Sequence, residues 1–206
     1  MVVTKESITD AALAVLHDDG LEALSLRAVA DRLGVRHNSV RWHIGNKQGL
    51  LGLLAERIIG SAIASVTDSG AETQLPAEPC ERLAALWGCL RQSLLAHRDG
   101  ARLLSGLVNT GPQALTFADA SIGALKELGR TPQKAVWLHW SLFYFVLGLT
   151  IEQQAHEPVR SDVLRDTIAD GAYPTLSDAE ISAHLMAADF DERFAFGLRS
   201  LLNAAD

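Results

Sequence analysis

The stretch from Ser25 to Lys47 restricts the possible folds of this chain most, because it reads as two short helices joined by a glycine turn. Ser25 is suited to cap the first helix, whose apolar stripe is formed by Leu26, Val29, Ala30 and Leu33. Gly34 follows where the chain must reverse, since glycine adopts a positive φ without steric cost. The pattern predicts a helix-turn-helix, whose second helix enters the major groove of DNA.

The second helix, from Val35 to His43, has few side chains suited to a core. Its expected anchors are Val35, Val40 and part of Trp42, while the remaining side chains are basic or hydrogen-bonding. Such groups contact base edges and phosphates in protein–DNA complexes. A solvated helical hairpin that carries arginines would show the same local pattern, and it is kept as the alternative.

Positive charge extends across this segment, with four cationic side chains and no carboxylate between residues 32 and 47. Asn46 can cap the next helix, which places Lys47 in a first turn, where the helix dipole disfavours a cation. A phosphate is therefore the expected partner of Lys47. The predicted DNA-binding residues are Arg27, Arg36, His37, Asn38, Ser39, Arg41, Trp42, His43 and Lys47.

Residues 4–55 resemble the N-terminal domain of the tetracycline repressor (TetR) family of bacterial transcription regulators. The resemblance is carried by Gly20-Leu-Glu-Ala-Leu, Ser25-Leu-Arg-Ala-Val-Ala, Leu33-Gly-Val, Trp42-His43 and Asn46-Lys47. One departure is Arg41, which stands where the family usually has a phosphate-binding tyrosine. An arginine keeps affinity for phosphate but can also contact a base, so the operator sequence does not carry over from relatives.

The length and charge of the chain suit one small DNA-binding unit and a larger helical body. The net charge is −7, but residues 1–50 contain six cationic and six acidic side chains, so the excess negative charge lies on the remainder. An acidic body discourages DNA from lying along it. We expect an all-α fold, with a helix-turn-helix DNA-binding domain at 1–49 and a helical ligand-binding and dimerisation domain at 50–206.

Cys80 and Cys89 lie nine residues apart, and the sequence has no Cys-x-x-Cys pair and no signal peptide. This usage indicates reduced thiols and a cytoplasmic protein, with a redox-sensing pair as the alternative. An apolar run from Ala135 to Ile151 falls short of the roughly 18 residues expected of a membrane span. We interpret this run as a buried core helix and expect no membrane association.

Caps, prolines and apolar periodicity predict the helices of the body. The expected helices cover about Leu50–Ser65, Cys80–His97, Gly111–Leu128, Thr131–Ala155, a short helix with the capping box Ser177-Asp-Ala-Glu180, and Asp191–Leu202. Thr67 to Pro79 is predicted to be a flexible connection, and residues 156–176 are predicted to be irregular. No strand pattern competes with these helices.

Residues 95–101, 147–156 and 194–202 are similar to the core of the same family. The resemblance implies that the long helix and the last helix pair with those of a second copy as a four-helix bundle. A homodimer is also expected because two recognition helices must reach half-sites roughly 34–36 Å apart. The stripe of the last helix suited to this contact is Phe190, Phe194, Gly197, Leu198 and Leu201. Packing of that stripe inside one chain is the alternative.

The resemblance also implies an effector pocket, lined by Ile63, Leu86, Leu90, Leu104, Leu107, Val108, Val136, His139 and Tyr144. Independently of it, the long helix concentrates aromatic surface at Trp137, Trp140, Phe143 and Tyr144. Apolar walls with a few polar groups suit a small aromatic or polycyclic ligand. An aromatic stripe that only packs in the core is the alternative.

Tetracycline itself is not the expected ligand. By the resemblance, Leu104 replaces the histidine that holds the drug's magnesium, while Leu86 and Ile63 replace a drug-binding amide and a second histidine. Leucine offers no oxygen ligand to magnesium, and only Glu152 matches an outer-shell carboxylate. Glu152 and His156 are spaced for one helix face, but two ligands without a third do not make a zinc site. No metal and no cofactor is expected.

Together these features predict a ligand-responsive homodimeric repressor that binds a palindromic operator in double-stranded DNA and is released by a small-molecule effector. The sequence contains no nucleophile–base pair, phosphate loop or paired carboxylates, so no catalytic residue is expected. A helical enzyme or carrier that uses the pocket without DNA is one alternative. An activator, or an architectural factor without a ligand, is the other.

Overall fold

The computed structural model describes residues 3–67, 76–105, 107, 110–155, 158–169 and 172–203. The helices in these ranges are α1 (Lys5–Asp19), α2 (Leu26–Leu33), α3 (His37–Ile44), α4 (Lys47–Thr67), α5 (Pro79–Leu95), α6 (Gly100–Leu104), α7 (Pro112–Glu127), α8 (Pro132–Ala155), α9 (Pro158–Ala169), α10 (Ala179–Met186) and α11 (Phe190–Asn203). The described residues contain no strand, and the all-α prediction is confirmed.

Local caps define the first three helices, which together with the first turns of α4 we call the head. Thr4 and Ser7 form a capping box at the start of α1, and the Ser25 hydroxyl accepts a hydrogen bond from the Ala28 amide at 3.1 Å. Gly34 ends α2 in the left-handed conformation with a φ of 67°. The helix-turn-helix predicted from these residues is therefore present.

Helix α4 runs without interruption from the head into the rest of the chain, which we call the body. The boundary expected at residue 49 lies in its first turn. It packs against α1 and α3 of the head and against α5, α6 and α7 of the body. Its buried side chains extend along its length and include Leu50, Leu54, Ile58 and Ala62. A displacement of α4 would therefore move parts of both units.

Two side chains of α5 join the helices of the body. The Trp87 ring is buried and lies edge-on to Phe117 of α7, with ring centroids 4.9 Å apart. The guanidinium of Arg91 is also buried, and it donates hydrogen bonds to Gln153 of α8 and to Asp191 of α11. Aromatic packing and a buried charge with two partners thus hold α7, α8 and α11 on α5.

Two short stretches of the body differ from the sequence prediction. The region predicted to be irregular contains α9, which Pro158 can begin because the first turn of a helix needs no proline N–H. The cap of α10 is Asp178, not Ser177: its carboxylate accepts hydrogen bonds from Glu180 and Ile181. The Ser177 hydroxyl instead donates to the Tyr173 carbonyl. The predicted connection at 67–79 lies mostly outside the described residues.

The stripe expected to contact a second copy also packs inside the chain. Phe190, Leu198 and Leu202 are buried, and the Phe194 ring stacks on Phe145 of α8 with centroids 6.3 Å apart. A Cβ atom at Gly197 would lie 2.2 Å from the Phe145 ring, so glycine permits the close approach of α11 to α8. The exposed large apolar side chain of α11 is Phe196.

By length and composition alone, α4 over Lys47–Val66 and α8 over Pro132–Ala155 could each cross a membrane. The second is longer than the apolar run noted in the sequence. Core helices of globular proteins pass the same test, and α8 buries Leu142 and Val146 completely.

Candidate functional site

The recognition helix α3 is attached to the head by a small number of apolar contacts. Val40 is fully buried, and Val35 packs partly buried just before the helix. A Cβ atom at Gly49 of α4 would lie 2.3 Å from the Ile44 carbonyl oxygen, so the end of α3 lies directly against the start of α4. The position of α3 is therefore coupled to that of α4.

The side chains predicted to bind DNA form one accessible surface around α3. Arg36, His37, Asn38 and Arg41 are exposed, and Ser39 and His43 are partly exposed. Trp42 is 82% exposed, so the expectation that it anchors α3 in the core is wrong. Its ring contacts only the edge of His43, with centroids 4.8 Å apart. The indole therefore belongs to the accessible surface.

Charge on this surface is partly neutralised within the head. Arg32 pairs with Asp18 of α1, and Arg27 lies 4.0 Å from Asp31 one helical turn away. Within the described ranges, the remaining cations of the surface, Arg36, Arg41 and Lys47, have no carboxylate within 4 Å. These unpaired cations are available to a polyanion.

Lys47 lies where the sequence predicted it, in the first turn of α4. The Asn46 side-chain oxygen accepts a hydrogen bond from the Gly49 amide at 2.9 Å and so caps this helix. A cation beside the positive end of the helix dipole gains nothing from the helix. The exposed charge of Lys47 would be stabilised by an external anion nearby.

A cavity of about 520 Å³ lies between α4, α5, α7 and α8. Seven of the side chains predicted to line a pocket do line it: Leu90, Leu104, Leu107, His139, Trp140, Phe143 and Tyr144. The sequence analysis missed Ile59, Thr110, Ala114, Leu115, Phe117 and Ala118. Most of these lie at the start of α7, where Gly111-Pro112 indicated the beginning of a helix but not which of its faces would border a cavity.

Four of the other predicted pocket residues do not line this cavity. Leu86 is buried in the core, and Ile63 lines an open groove between α4 and Gln113. Val136 and Trp137 are exposed on α8, away from the cavity lining. Val108 lies outside the described residues. Binding of a ligand by any of these residues remains a prediction.

The imidazole of His139 is one of the polar groups in the cavity wall. It is 6% exposed, and burial lowers its pKa to about 4, so the ring is neutral near pH 7. Its Nδ1 is buried and has no hydrogen-bond partner among the described residues, and the same is true of the indole nitrogen of Trp87 and the hydroxyl of Ser121. Trp87 lies 5.5 Å from the imidazole between ring centroids. The cavity therefore offers an uncharged imidazole in surroundings that are mainly apolar.

Acidic and basic side chains elsewhere do not converge on a metal. Among the described residues, no three histidine, cysteine or carboxylate side chains lie close enough to hold an ion. Glu152 is exposed on α8, and His156, the second residue considered for zinc, lies outside the described residues.

Polar contacts hold the start of α7 on α4 and the start of α6 on the head. The Glu56 carboxylate of α4 accepts hydrogen bonds from the amides of Gln113 and Ala114 at the start of α7. At the other contact, Asp99 and Arg102 bind the turn after α1 through the Leu21 amide and the Glu22 carboxylate. Because α7 borders the cavity, the first contact also links the cavity wall to α4.

Comparisons with known proteins agree with this architecture. Residues 8–54 match the bacterial regulatory proteins of the tetR family, and residues 75–204 match the tetracyclin repressor-like C-terminal domain. The tetracycline repressor protein class E of Escherichia coli is 32% identical over 201 residues, which are 96% of this chain and 88% of that protein.

Two solved structures are similar over most of the chain. ActR of Streptomyces coelicolor in complex with (S)-DNPA is 25% identical with a TM-score of 0.85, over 100% of this chain and 98% of that one. BioQ with its double-stranded DNA operator is 26% identical with a TM-score of 0.65, over 82% of this chain and 99% of that one. With its helix-turn-helix head and helical ligand-binding body, the chain belongs to the TetR family of transcriptional repressors.

Proposed function

We propose that the chain is a cytoplasmic, ligand-responsive homodimer that represses transcription by occupying a palindromic operator and is released by a small aromatic or polycyclic effector. The observation that carries this proposal is the continuity of α4, which begins beside the recognition helix and contributes Ile59 to the cavity. A ligand that repositions α4 would therefore move the DNA-facing surface, with no enzymatic step and no cofactor.

Different side chains of the head suit base readout and phosphate binding. Arginine pairs with the O6 and N7 edge of guanine and asparagine with the N6 and N7 edge of adenine, so Arg36 and Asn38 suit readout in the major groove. Lys47, off the recognition helix and without a partner carboxylate in the described ranges, suits a phosphate. The DNA complex of BioQ supports double-stranded DNA as the partner of this surface.

The effector is proposed from the chemistry of the cavity. Its volume of about 520 Å³ lies within the roughly 300–1,000 Å³ typical of small-molecule sites. Its wall is mainly apolar and aromatic, and the imidazole of His139 within it is neutral. A charged effector would lose its hydration without a compensating ion pair, so an uncharged aromatic compound fits best.

The homodimer is proposed from apolar surface that one chain leaves uncovered. Trp137 and Tyr144 of α8 and Phe196 of α11 are 63%, 65% and 67% exposed, although the two helices pack against each other. Large exposed apolar side chains on neighbouring helices are typical of a protein interface. A second copy would cover them and place two recognition helices on one duplex, with half-sites roughly 34–36 Å apart.

Regulation would follow from a ligand-dependent change in the distance between the two heads. To change operator occupancy from nearly complete to nearly absent, the effector must prefer the non-binding conformer by about 10⁴-fold, or about 5.5 kcal/mol. An effector with equal affinity for both conformers would leave the DNA bound.

A gel-shift assay on the intergenic DNA beside the chain's own gene tests this function, first without ligand and then with a panel of uncharged aromatic metabolites. We expect a shifted band that at least one compound abolishes. Absence of any shift would favour the helical enzyme or carrier instead. A shift that no compound changes would favour an architectural factor, and transcription that rises with occupancy would indicate an activator.

A further inference from the structure

We propose that Glu56 is the positioning residue that connects the cavity to the DNA-binding head, through its cap on the start of α7. This inference rests on the proposed function, because it concerns how a cavity ligand would change DNA affinity. In the chain without ligand, the cap holds α4 in the position that binds operator. A ligand that displaces the start of α7 would release it.

The contact itself is specific in geometry. One carboxylate oxygen of Glu56 lies 2.9 Å from the Gln113 amide and the other lies 3.2 Å from the Ala114 amide. These amides belong to the first turn of α7, whose N–H groups have no partner within the helix. A negative charge is also favoured there by the helix dipole. The carboxylate therefore gives the start of α7 a fixed place relative to α4.

The preceding residue makes room for this carboxylate. Gly111 occupies the N-cap position of α7, and a Cβ atom there would lie 2.2–2.6 Å from the Glu56 carboxylate atoms. The φ of Gly111 is −71°, which any residue can adopt. An alanine here would therefore displace the Glu56 carboxylate without straining the backbone.

The capped turn borders the cavity. Thr110, Ala114 and Leu115 line the cavity, so a ligand that expands or reshapes it acts on the residues that Glu56 holds. On its other side, Glu56 lines a hollow together with His43 and Ile44 at the end of the recognition helix. Glu56 therefore lies between the wall that a ligand would touch and the helix that would touch DNA.

The test uses the full-length protein and the duplex shifted in the gel assay, without any ligand. Glu56→Ala removes both acceptors, and Glu56→Gln keeps one acceptor oxygen but removes the charge. Gly111→Ala displaces the carboxylate from the opposite side. Glu81→Gln, an exposed glutamate in the first turn of α5, is the matched control.

We expect operator affinity to fall by about tenfold in Glu56→Ala and Gly111→Ala, within the 5–150-fold range typical of coupled sites. Glu56→Gln should lose less operator affinity, and Glu81→Gln should bind the operator as tightly as the parent chain. Hydrogen exchange at the Gln113 and Ala114 amides should accelerate in the same order, which shows that the cap has been lost from folded protein.

Unchanged operator affinity in variants whose two amides exchange faster would overturn the inference and leave the proposed repressor intact. If the parent chain binds no duplex, the proposed function itself fails and this inference fails with it. Should Glu56→Ala not fold, the Glu56→Gln and Gly111→Ala pair decides between these outcomes.

Discussion

The carboxylate of Asp99 accepts a hydrogen bond from the backbone amide of Leu21 at 3.0 Å, although the two residues are 78 positions apart in the chain. Asp99 begins α6 with a φ of 56°, a left-handed conformation that few residues other than glycine adopt. Arg102 pairs with the same carboxylate and with Glu22. The start of α6 therefore holds the turn between α1 and α2 and fixes one side of the head on the body.

Replacing Asp99 with alanine should weaken this contact. The change leaves the Leu21 amide without its charged acceptor and puts a residue with a Cβ and no polar group in left-handed backbone. We expect the free energy of unfolding in urea to fall by about 2–3 kcal/mol. Asp99→Asn is the control, because asparagine adopts the same backbone conformation and keeps an acceptor. Its free energy of unfolding should fall less.

The pH dependence of this contact has a defined sign. Burial alone would raise the pKa of Asp99, but the hydrogen bonds from Leu21 and Arg102 outweigh it and lower the pKa. A lowered carboxyl pKa adds stability that is present above the ordinary value and is lost as pH falls through the folded-state pKa. The difference between Asp99→Ala and the parent chain should therefore shrink in acid, and a difference that grows would contradict the assignment.

His139 predicts a second pH effect at higher pH. Its pKa is lowered by burial to about 4, so the folded chain binds this proton more weakly than the unfolded chain does. The free energy of unfolding should have its full value above about pH 6.5 and should fall by about 3 kcal/mol as the pH drops to 4. The variant His139→Phe keeps a ring against Trp87. Its free energy of unfolding in urea should not show this loss in acid. An equal loss of stability in both proteins would show that folding does not lower the pKa of His139.

Arg36→Ala should blur the recognition of the operator. One arginine contact with guanine contributes roughly 1–3 kcal/mol of discrimination against the wrong base. We expect the variant to tolerate a base change at one position in each half-site. It should bind operators changed at that position almost as well as the unchanged operator. The measurement is a set of dissociation constants for operator duplexes changed one base pair at a time. Retained discrimination at every position would remove Arg36 from base readout.

Lys47→Ala should weaken binding to all duplexes alike. Loss of one phosphate contact reduces the slope of log affinity against log salt concentration by about one. The slopes are measured on operator and on unrelated DNA, with Lys5→Ala as a control lysine at the start of α1. A change in base preference with an unaltered salt slope would exchange the roles assigned to Lys47 and Arg36.

Local chemistry made the head predictable from sequence. Ser25 and Gly34 act within their own turns, where a hydroxyl cap and a positive φ are decided by neighbours three or four residues away. The cap of α10 is one residue later than predicted, because both Ser177 and Asp178 are good caps. The Ser177 hydroxyl donates to the Tyr173 carbonyl, and Asp178 caps the helix.

The cavity and the last helix depend on contacts that no local pattern encodes. An apolar stripe on α11 suited either a second copy or α8 of the same chain, and the close approach of Gly197 to Phe145 that packs it on α8 cannot be read from the sequence. Trp137 and Trp140 are three residues apart on one helix, yet only Trp140 reaches the cavity. Which face of a helix borders empty space depends on how all of its neighbours pack.

The four tryptophans of the chain lie in different parts of the structure. Trp42 lies on the recognition helix, Trp140 at the cavity wall, Trp137 on the uncovered face of α8, and Trp87 in the core beside His139. Single-tryptophan versions of the protein would thus report operator binding, effector entry, subunit association and protonation as separate intrinsic fluorescence signals, without any attached label.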